Sequence, residues 1–148
     1  MMKDLLPDQF AQLSIDRQVQ AIIQAAPYLA DKLAQHCQLG SCSTEQALTE
    51  VLRFLLLSSK GKALTPSHRV DLVWHQFILA TRVYSEFCTK CYDNYLHHTP
   101  SNDSLENQQQ FQLCLTLYRQ AFGTPNVWFW GPDMQVSIAG DCAGCESC

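Results

Sequence analysis

The segment from Pro66 to Tyr92 constrains the fold more than any other part of this sequence. When its residues are placed on a helical wheel at about 100° per step, apolar and aromatic side chains occupy most of the circumference. These side chains are Val70, Leu72, Val73, Trp74, Phe77, Leu79, Ala80, Val83, Tyr84, Phe87 and Cys88. A helix that is apolar on nearly all sides is a buried one. The sequence therefore predicts one long helix, from Pro66 to about Tyr92, at the centre of the fold.

Other helices are predicted from apolar spacing and from residues that start or stop a helix. They lie near Asp8 to Gln24 (capped by Ser14 or Asp16), Tyr28 to Cys37, Ser43 to Ser58, and from about Ser101–Ser104 to Gly123. Ser43 and Gln46 have the spacing of a capping box. No convincing strand is found before residue 125. We expect an all-α fold, a compact orthogonal bundle of about five helices around the buried central helix. The bundle spans residues 1–132, and residues 133–148 form a flexible tail that contains Gly and Cys.

Composition limits the class of protein. The 148 residues are 47% hydrophobic and 16% charged, which is typical of a globular chain. Only ten residues are Lys or Arg and the formal net charge is −4, so nucleic acid is not expected as the main partner. The N-terminus lacks the apolar stretch of a secretory signal, and no apolar run approaches the ~20 residues of a membrane-spanning helix. We therefore expect a cytoplasmic protein without a membrane partner, in which the eight cysteines stay reduced.

A narrow polar stripe interrupts the apolar surface of the predicted central helix. Its members are His68, Asp71, His75, Arg82 and Glu86. Asp71 and His75 are one turn apart, as are Arg82 and Glu86, so each pair can meet on the helix surface. A carboxylate beside an imidazole can fix its tautomer and leave the second nitrogen for a metal or a proton. The alternative is an ion-paired network that only fixes helix packing or faces solvent, and the sequence favours neither interpretation.

Two adjacent histidines, His97 and His98, follow the central helix shortly before Pro100. Because adjacent side chains diverge, at most one of them is expected to share a site with His75. One of these histidines, His75 and a carboxylate would form an open coordination set for zinc or iron. A pair of histidines in a surface loop is the plainer interpretation.

The cysteines fall into two groups. Cys88 and Cys91 form a CxxC on the apolar face of the central helix, where cysteine behaves as a small hydrophobic residue, so we expect them in the core. Cys142, Cys145 and Cys148 form a CxxCxxC in the tail. Their regular spacing among small residues is hard to explain by packing, so we expect metal binding or redox chemistry there.

The runs VDLVWHQFILATRVYSEFC, LHHTP and YRQAFGTPNVWFWGP resemble a bacterial and plant family of glycine-rich domain-containing proteins. The matching residues are Asp71, Trp74, His75, Tyr84, Cys88, His97, His98 and Pro100, followed by Tyr118, Phe122, Gly123, Trp130 and Gly131. The resemblance covers about Thr44 to Pro132 and implies a helical domain of largely unestablished biochemical function. The tail DCAGCESC looks like a short version of the Gly/Cys-rich ends of bacterial relatives, but the long glycine-rich stretch is missing.

Three functions remain open at this stage. The first is a metal- or small-ligand-binding module that uses Asp71, Trp74, His75, Arg82 and Tyr84, with Arg82 as an anion partner and zinc or iron as the candidate metal. The second is a structural or protein-interaction domain whose polar stripe only fixes helix packing. The third is an enzyme in which His75 is a general base oriented by Asp71. The partner is accordingly an unknown small ligand or a protein.

Overall fold

A computed structural model of the protein describes residues 3–99 and 101–131. A 3-10 turn, Phe10–Gln12, precedes seven α-helices in this part of the chain. The helices are α1 (Ile15–Ala25), α2 (Leu29–His36), α3 (Thr44–Ser58), α4 (His68–Leu79), α5 (Thr81–Tyr92), α6 (Ser104–Phe122) and α7 (Val127–Trp130). No strand occurs among the described residues, and the helices pack on one another, so the predicted all-α bundle is confirmed. The predicted tail, 133–148, lies outside the described residues.

The single central helix predicted from Pro66 to Tyr92 was wrong, because the segment forms two helices. Ala80 separates α4 from α5 with φ −79° and ψ 64°, which is not a helical conformation. An unbroken helix of this length would extend about 40 Å, too long for a small bundle to cover on all sides. The break lets both helices bury their apolar faces in one core. The ring of Phe77 on α4 accordingly lies 4.9 Å from that of Tyr84 and 5.3 Å from that of Phe87 on α5.

Helix α4 takes the buried central position that the sequence predicted for the longer helix. It contacts α2, α3, α5 and α7, and its Val70, Val73 and Phe77 are fully buried. Asp71 lies on the same helix and is only 1% exposed, although it is an acid. A buried carboxylate destabilises a fold unless it has hydrogen-bond or charge partners. The buried carboxylate of Asp71 therefore makes its surroundings the candidate functional site.

The ends of the helices follow the sequence closely. Side-chain oxygens cap the N-termini of five helices, from Ser14, Ser43, Ser67, Asp103 and Asn126. The Ser43–Gln46 capping box is complete, since each side chain bonds the backbone of the other residue. Gly123 follows the last residue of α6 with φ 88°, a conformation that favours glycine. These local predictions are confirmed.

The core contains the helical cysteines. Cys88 and Cys114 are fully buried, and Cys91 is partly buried against the core. Burial raises the pKa of the Cys91 thiol to about 11 and that of Cys114 to about 12, so both stay neutral at ordinary pH. Cys88 and Cys91 thus behave as packing residues, as expected.

Candidate functional site

Asp71 is paired with a histidine from a distant part of the chain. Its Oδ1 lies 2.5 Å from Nε2 of His98, in the loop that follows α5. Both side chains are shielded, with 2% of Asp71 and 15% of His98 exposed. Burial by itself lowers the pKa of His98, but the hydrogen bond and the negative charge of Asp71 outweigh it, so the pKa is raised above 6.5. The pair therefore favours a protonated imidazole against a buried carboxylate.

The second oxygen of the same carboxylate has no such partner. Oδ2 of Asp71 is buried and makes no hydrogen bond to any described residue. A carboxylate oxygen can accept more than one hydrogen bond, and leaving it without any costs about 1–3 kcal/mol or more for a charged group. Such an atom is expected where a ligand or a water completes the site.

Asp71 and His98 form part of the wall of a cavity of about 520 Å³. The end of α3, the segment before α4, the loop after α5 and the first turns of α6 supply the rest. The polar groups around it include Ser58, Thr65, Asn94, His97, Thr99, Ser101, Glu106, Asn107 and Gln110, and the aromatic ones are Phe54, Trp74 and Tyr95. A partly enclosed space with convergent polar groups and aromatic walls is typical of small-molecule sites.

A chain of hydrogen bonds holds the loop wall of this cavity in place. The indole Nε1 of Trp74 donates to the hydroxyl of Tyr84 at 3.1 Å, and that hydroxyl donates to the carbonyl of Leu96 at 2.5 Å. Burial raises the pKa of Tyr84, so the hydroxyl keeps the proton that it donates. The ring of Trp74 also lies 4.5 Å from the imidazole of His98. Helices α4 and α5 thereby fix the loop that carries His98.

The structure brings some of the predicted site residues together and separates others. Asp71, Trp74, His97 and His98 line the cavity, and Tyr84 positions its wall. His75 is partly exposed and is not among the lining residues. Within the described residues, no hydrogen bond joins it to the Asp71 carboxylate, which is turned to the loop instead. The histidine oriented by Asp71 is therefore the distant one.

Arg82 and Glu86 pair as the sequence predicted, with 3.5 Å between Nε and Oε2, but they serve another part of the fold. Oε1 of Glu86 accepts hydrogen bonds from the backbone N–H groups of Leu5 and Leu6 at 2.8 and 3.2 Å. Arg82 donates to the backbone carbonyl of Lys3. This pair fastens the N-terminal segment to α5, and Arg82 does not line the cavity.

No group of three or more His, Cys, Asp or Glu side chains with the geometry of a metal site occurs in residues 3–99 and 101–131. The predicted set of His75, one of His97 and His98, and a carboxylate does not form such a group among these residues. Cys142, Cys145 and Cys148 lie outside the described residues.

Sequence reasoning missed a second buried acid, Glu50 on α3. Its Oε1 accepts hydrogen bonds from the hydroxyl of Tyr118 at 2.6 Å and from the indole Nε1 of Trp130 at 2.7 Å. Arg53 lies 3.6 Å from its other oxygen and also donates to Tyr118 at 2.7 Å. The donors follow Glu50 by 68 and 80 residues, so no local pattern reveals them. The available clue is an acid between the apolar positions Ala47 and Phe54 on one helix face.

No helix in the described part of the chain has the length and apolar character needed to cross a membrane.

The comparisons with known proteins give a family for this chain. Neither the curated proteins nor the solved structures contain a match to the sequence. The predicted resemblance to glycine-rich domain-containing proteins was wrong, because the family model that matches is that of UCP032817-like proteins, over residues 16–123. The match runs from α1 to the end of α6 and so includes Asp71, His98 and most of the cavity wall. The chain belongs to the UCP032817-like family.

Proposed function

We propose that this chain is a small-ligand-binding module whose ligand occupies the cavity beside Asp71 and His98. The observation that carries the proposal is the buried Oδ2 of Asp71, which lacks a hydrogen-bond partner although Asp71 belongs to the cavity wall. A ligand with a donor group would satisfy this atom and remove the cost of leaving it unpaired. The volume of about 520 Å³ falls within the range of known small-molecule sites.

The walls of the cavity support a polar ligand. Thr65 donates to Oε1 of Gln110 at 2.9 Å, and Asn107 donates to the carbonyl of Ser101 at 2.9 Å. These bonds hold the side chains of the α6 wall in fixed positions, so little conformational entropy is lost when a ligand binds. Trp74 and Tyr95 add apolar area to the lining. A few oriented polar groups between aromatic surfaces provide both specificity and affinity.

The test uses two glutamines on the same helix. Gln110 lines the cavity, whereas Gln109 is exposed and does not line it. A panel of small polar compounds is screened by thermal denaturation of the wild type, Gln110→Ala and Gln109→Ala, and each shift in Tm is taken relative to the same protein without compound. We expect at least one compound to stabilise the wild type and Gln109→Ala equally and Gln110→Ala much less. A panel in which no compound stabilises the wild type, or in which all three proteins respond alike, would contradict the proposal.

A metal-binding form of the module is a second candidate, favoured by the close approach of the Asp71 carboxylate and the His98 imidazole. These two side chains would supply two ligands for zinc or iron, and the others would come from Cys142, Cys145 and Cys148, which lie outside the described residues. Elemental analysis of protein purified without a His-tag tests this. Near-stoichiometric metal that is lost in His98→Ala would support the site, loss on truncation before Cys142 would move it to the tail, and no metal in any preparation would contradict it.

A purely structural role is the third candidate, and one observation favours it for half of the polar stripe. Arg82 and Glu86 bond the backbone of residues 3, 5 and 6, so they fix packing, and neither carries a buried side-chain atom without a partner. The same account does not cover Asp71, whose Oδ2 stays unpaired after His98 has bound Oδ1. The structural interpretation therefore fits Arg82 and the ligand interpretation fits Asp71.

A further inference from the structure

The charges around the Asp71–His98 cavity are unbalanced. Asp71 and Glu106 contribute two carboxylates, whereas no Lys or Arg is present among the described residues that line the cavity. His97 and His98 are the basic groups, and the proton of His98 offsets one of the two negative charges at most. A site of this composition attracts cations and repels anions, because its remaining negative charge interacts strongly with other charges in a partly enclosed space.

The hydrogen-bonding groups of the cavity have the same bias. The buried Oδ2 of Asp71 can only accept a hydrogen bond when the carboxylate is ionised, and it has no donor. Glu106 accepts from Gln110 Nε2 at 3.0 Å through Oε1, and its remaining lone pairs are available at the exposed rim. A ligand that brings a donor of its own would satisfy Asp71, and a second donor would pair with Glu106.

Aromatic side chains complete the site. Phe54, Trp74 and Tyr95 line the cavity together with the two acids. Aromatic rings attract cations through their π-electrons, and the attraction is stronger where the cation is desolvated. Neither a neutral polyol nor a carboxylic acid gains this term.

Deepening the proposed function, on which this inference rests, we propose that the cavity binds a small organic cation with N–H donors, an amine or a guanidinium compound. One cationic group donates to Asp71 in the interior, and the body of the ligand lies along the aromatic wall. Glu106 at the rim attracts the charge and pairs with a second cationic group where the ligand has one.

The experiment compares three probes of similar length that differ in charge: putrescine, 1,4-butanediol and succinate. Binding to the full chain is measured by isothermal titration calorimetry. The variant Glu106→Gln removes the rim charge without touching the core, and Glu45→Gln removes one exposed charge that does not line the cavity. We expect putrescine to bind and the other two probes not to bind. Glu106→Gln is expected to weaken putrescine binding about threefold, as for an exposed charge pair, and Glu45→Gln to leave it unchanged.

The results separate the ligand class from the site. Stronger binding of 1,4-butanediol or succinate than of putrescine would overturn the cationic ligand, and so would the absence of binding by all three probes. Equal weakening by Glu106→Gln and Glu45→Gln would also overturn it, because the attraction would then follow net charge alone. The proposed function fails by a different result, namely equal responses of Gln110→Ala and Gln109→Ala in the wider panel.

Discussion

Oδ1 of Asp71 and Nε2 of His98 lie 2.5 Å apart although the two residues are separated by 27 positions. The bond joins the buried helix α4 to the loop after α5 and closes one wall of the cavity. His75, one helical turn after Asp71 on α4, takes no part in it. Asp71 of the polar stripe is therefore paired by a tertiary contact and not by a neighbour on its own helix.

Replacement of His98 by Gln should destabilise the protein in a pH-dependent way. The pKa of His98 is raised above 6.5 in the folded state, so the folded protein holds this proton more tightly than the unfolded chain. The resulting stability is fully present below the unfolded pKa and is lost as the pH rises through the folded pKa. The difference in free energy of unfolding between wild type and His98→Gln, measured with urea, should therefore be largest at low pH. A pH-independent difference for His98→Gln would contradict the pairing.

Removal of the Tyr84 hydroxyl should loosen the loop that carries His98. Tyr84→Phe leaves the carbonyl of Leu96 without a donor and the indole of Trp74 without an acceptor. Such losses cost about 1–3 kcal/mol of unfolding free energy. Amide hydrogen exchange, measured by mass spectrometry, should become faster in residues 94–99 of this variant. Tyr95→Phe, in a more exposed tyrosine with its ring against Tyr84, should change little, and equal effects of the two variants would count against the bonded wall.

Alanine at Gly40 should cost more than alanine at Gly61. Both glycines have positive φ, 59° and 94°, so both substitutions strain the backbone by about 1–2 kcal/mol. A Cβ at Gly40 would also meet the indole of Trp128 at 2.7 Å, whereas nothing lies within 4 Å at Gly61. The guanidinium of Arg69 also stacks on this indole, 3.5 Å from a ring centroid, so displacement of Trp128 has a further cost. Urea unfolding measures the difference, which should vanish in a Trp128→Leu background; persistence there would contradict the clash.

Tyr118→Phe should destabilise the folded protein, because it removes a hydrogen bond to the buried Glu50 on α3. The Tyr118 hydroxyl donates to Glu50 and accepts from Arg53, and hydrogen bonds to charged groups contribute about 1.5–3 kcal/mol. Tyr118→Phe should lower the free energy of unfolding by an amount in that range. The exposed Tyr28 gives the matched control, since Tyr28→Phe removes a hydroxyl from the surface. A loss no greater than that of the control would show that Glu50 does not depend on this donor.

The sequence predicted those features of the fold that local interactions decide. The caps at Ser14, Ser43 and Ser67 and the stop at Gly123 depend on residues within one turn, so their positions could be read directly. The break at Ala80 could not, because its backbone conformation is imposed by packing on both sides of the turn rather than by a proline or glycine.

The candidate site was only partly predictable for the same reason. Asp71 and Trp74 were identified because they lie on a helix whose burial follows from its composition. Their partner His98 was one of several histidines, and the i, i+4 rule pointed to His75. The Glu50 cluster escaped notice because Tyr118 and Trp130 reach it from α6 and α7. Contacts between distant segments follow from the assembled fold, which sequence periodicity does not specify.

The indole N–H resonances of the three tryptophans test the ligand cavity most directly. Trp74 lines it, whereas Trp128 stacks against Arg69, Trp130 bonds Glu50, and neither of these two lines the cavity. In a ¹H–¹⁵N spectrum recorded during titration with a stabilising compound, the account predicts that the Trp74 resonance shifts in a saturable way while the other two stay in place. A saturable shift of Trp128 or Trp130 without Trp74 would contradict it, and so would binding that moves none of the three.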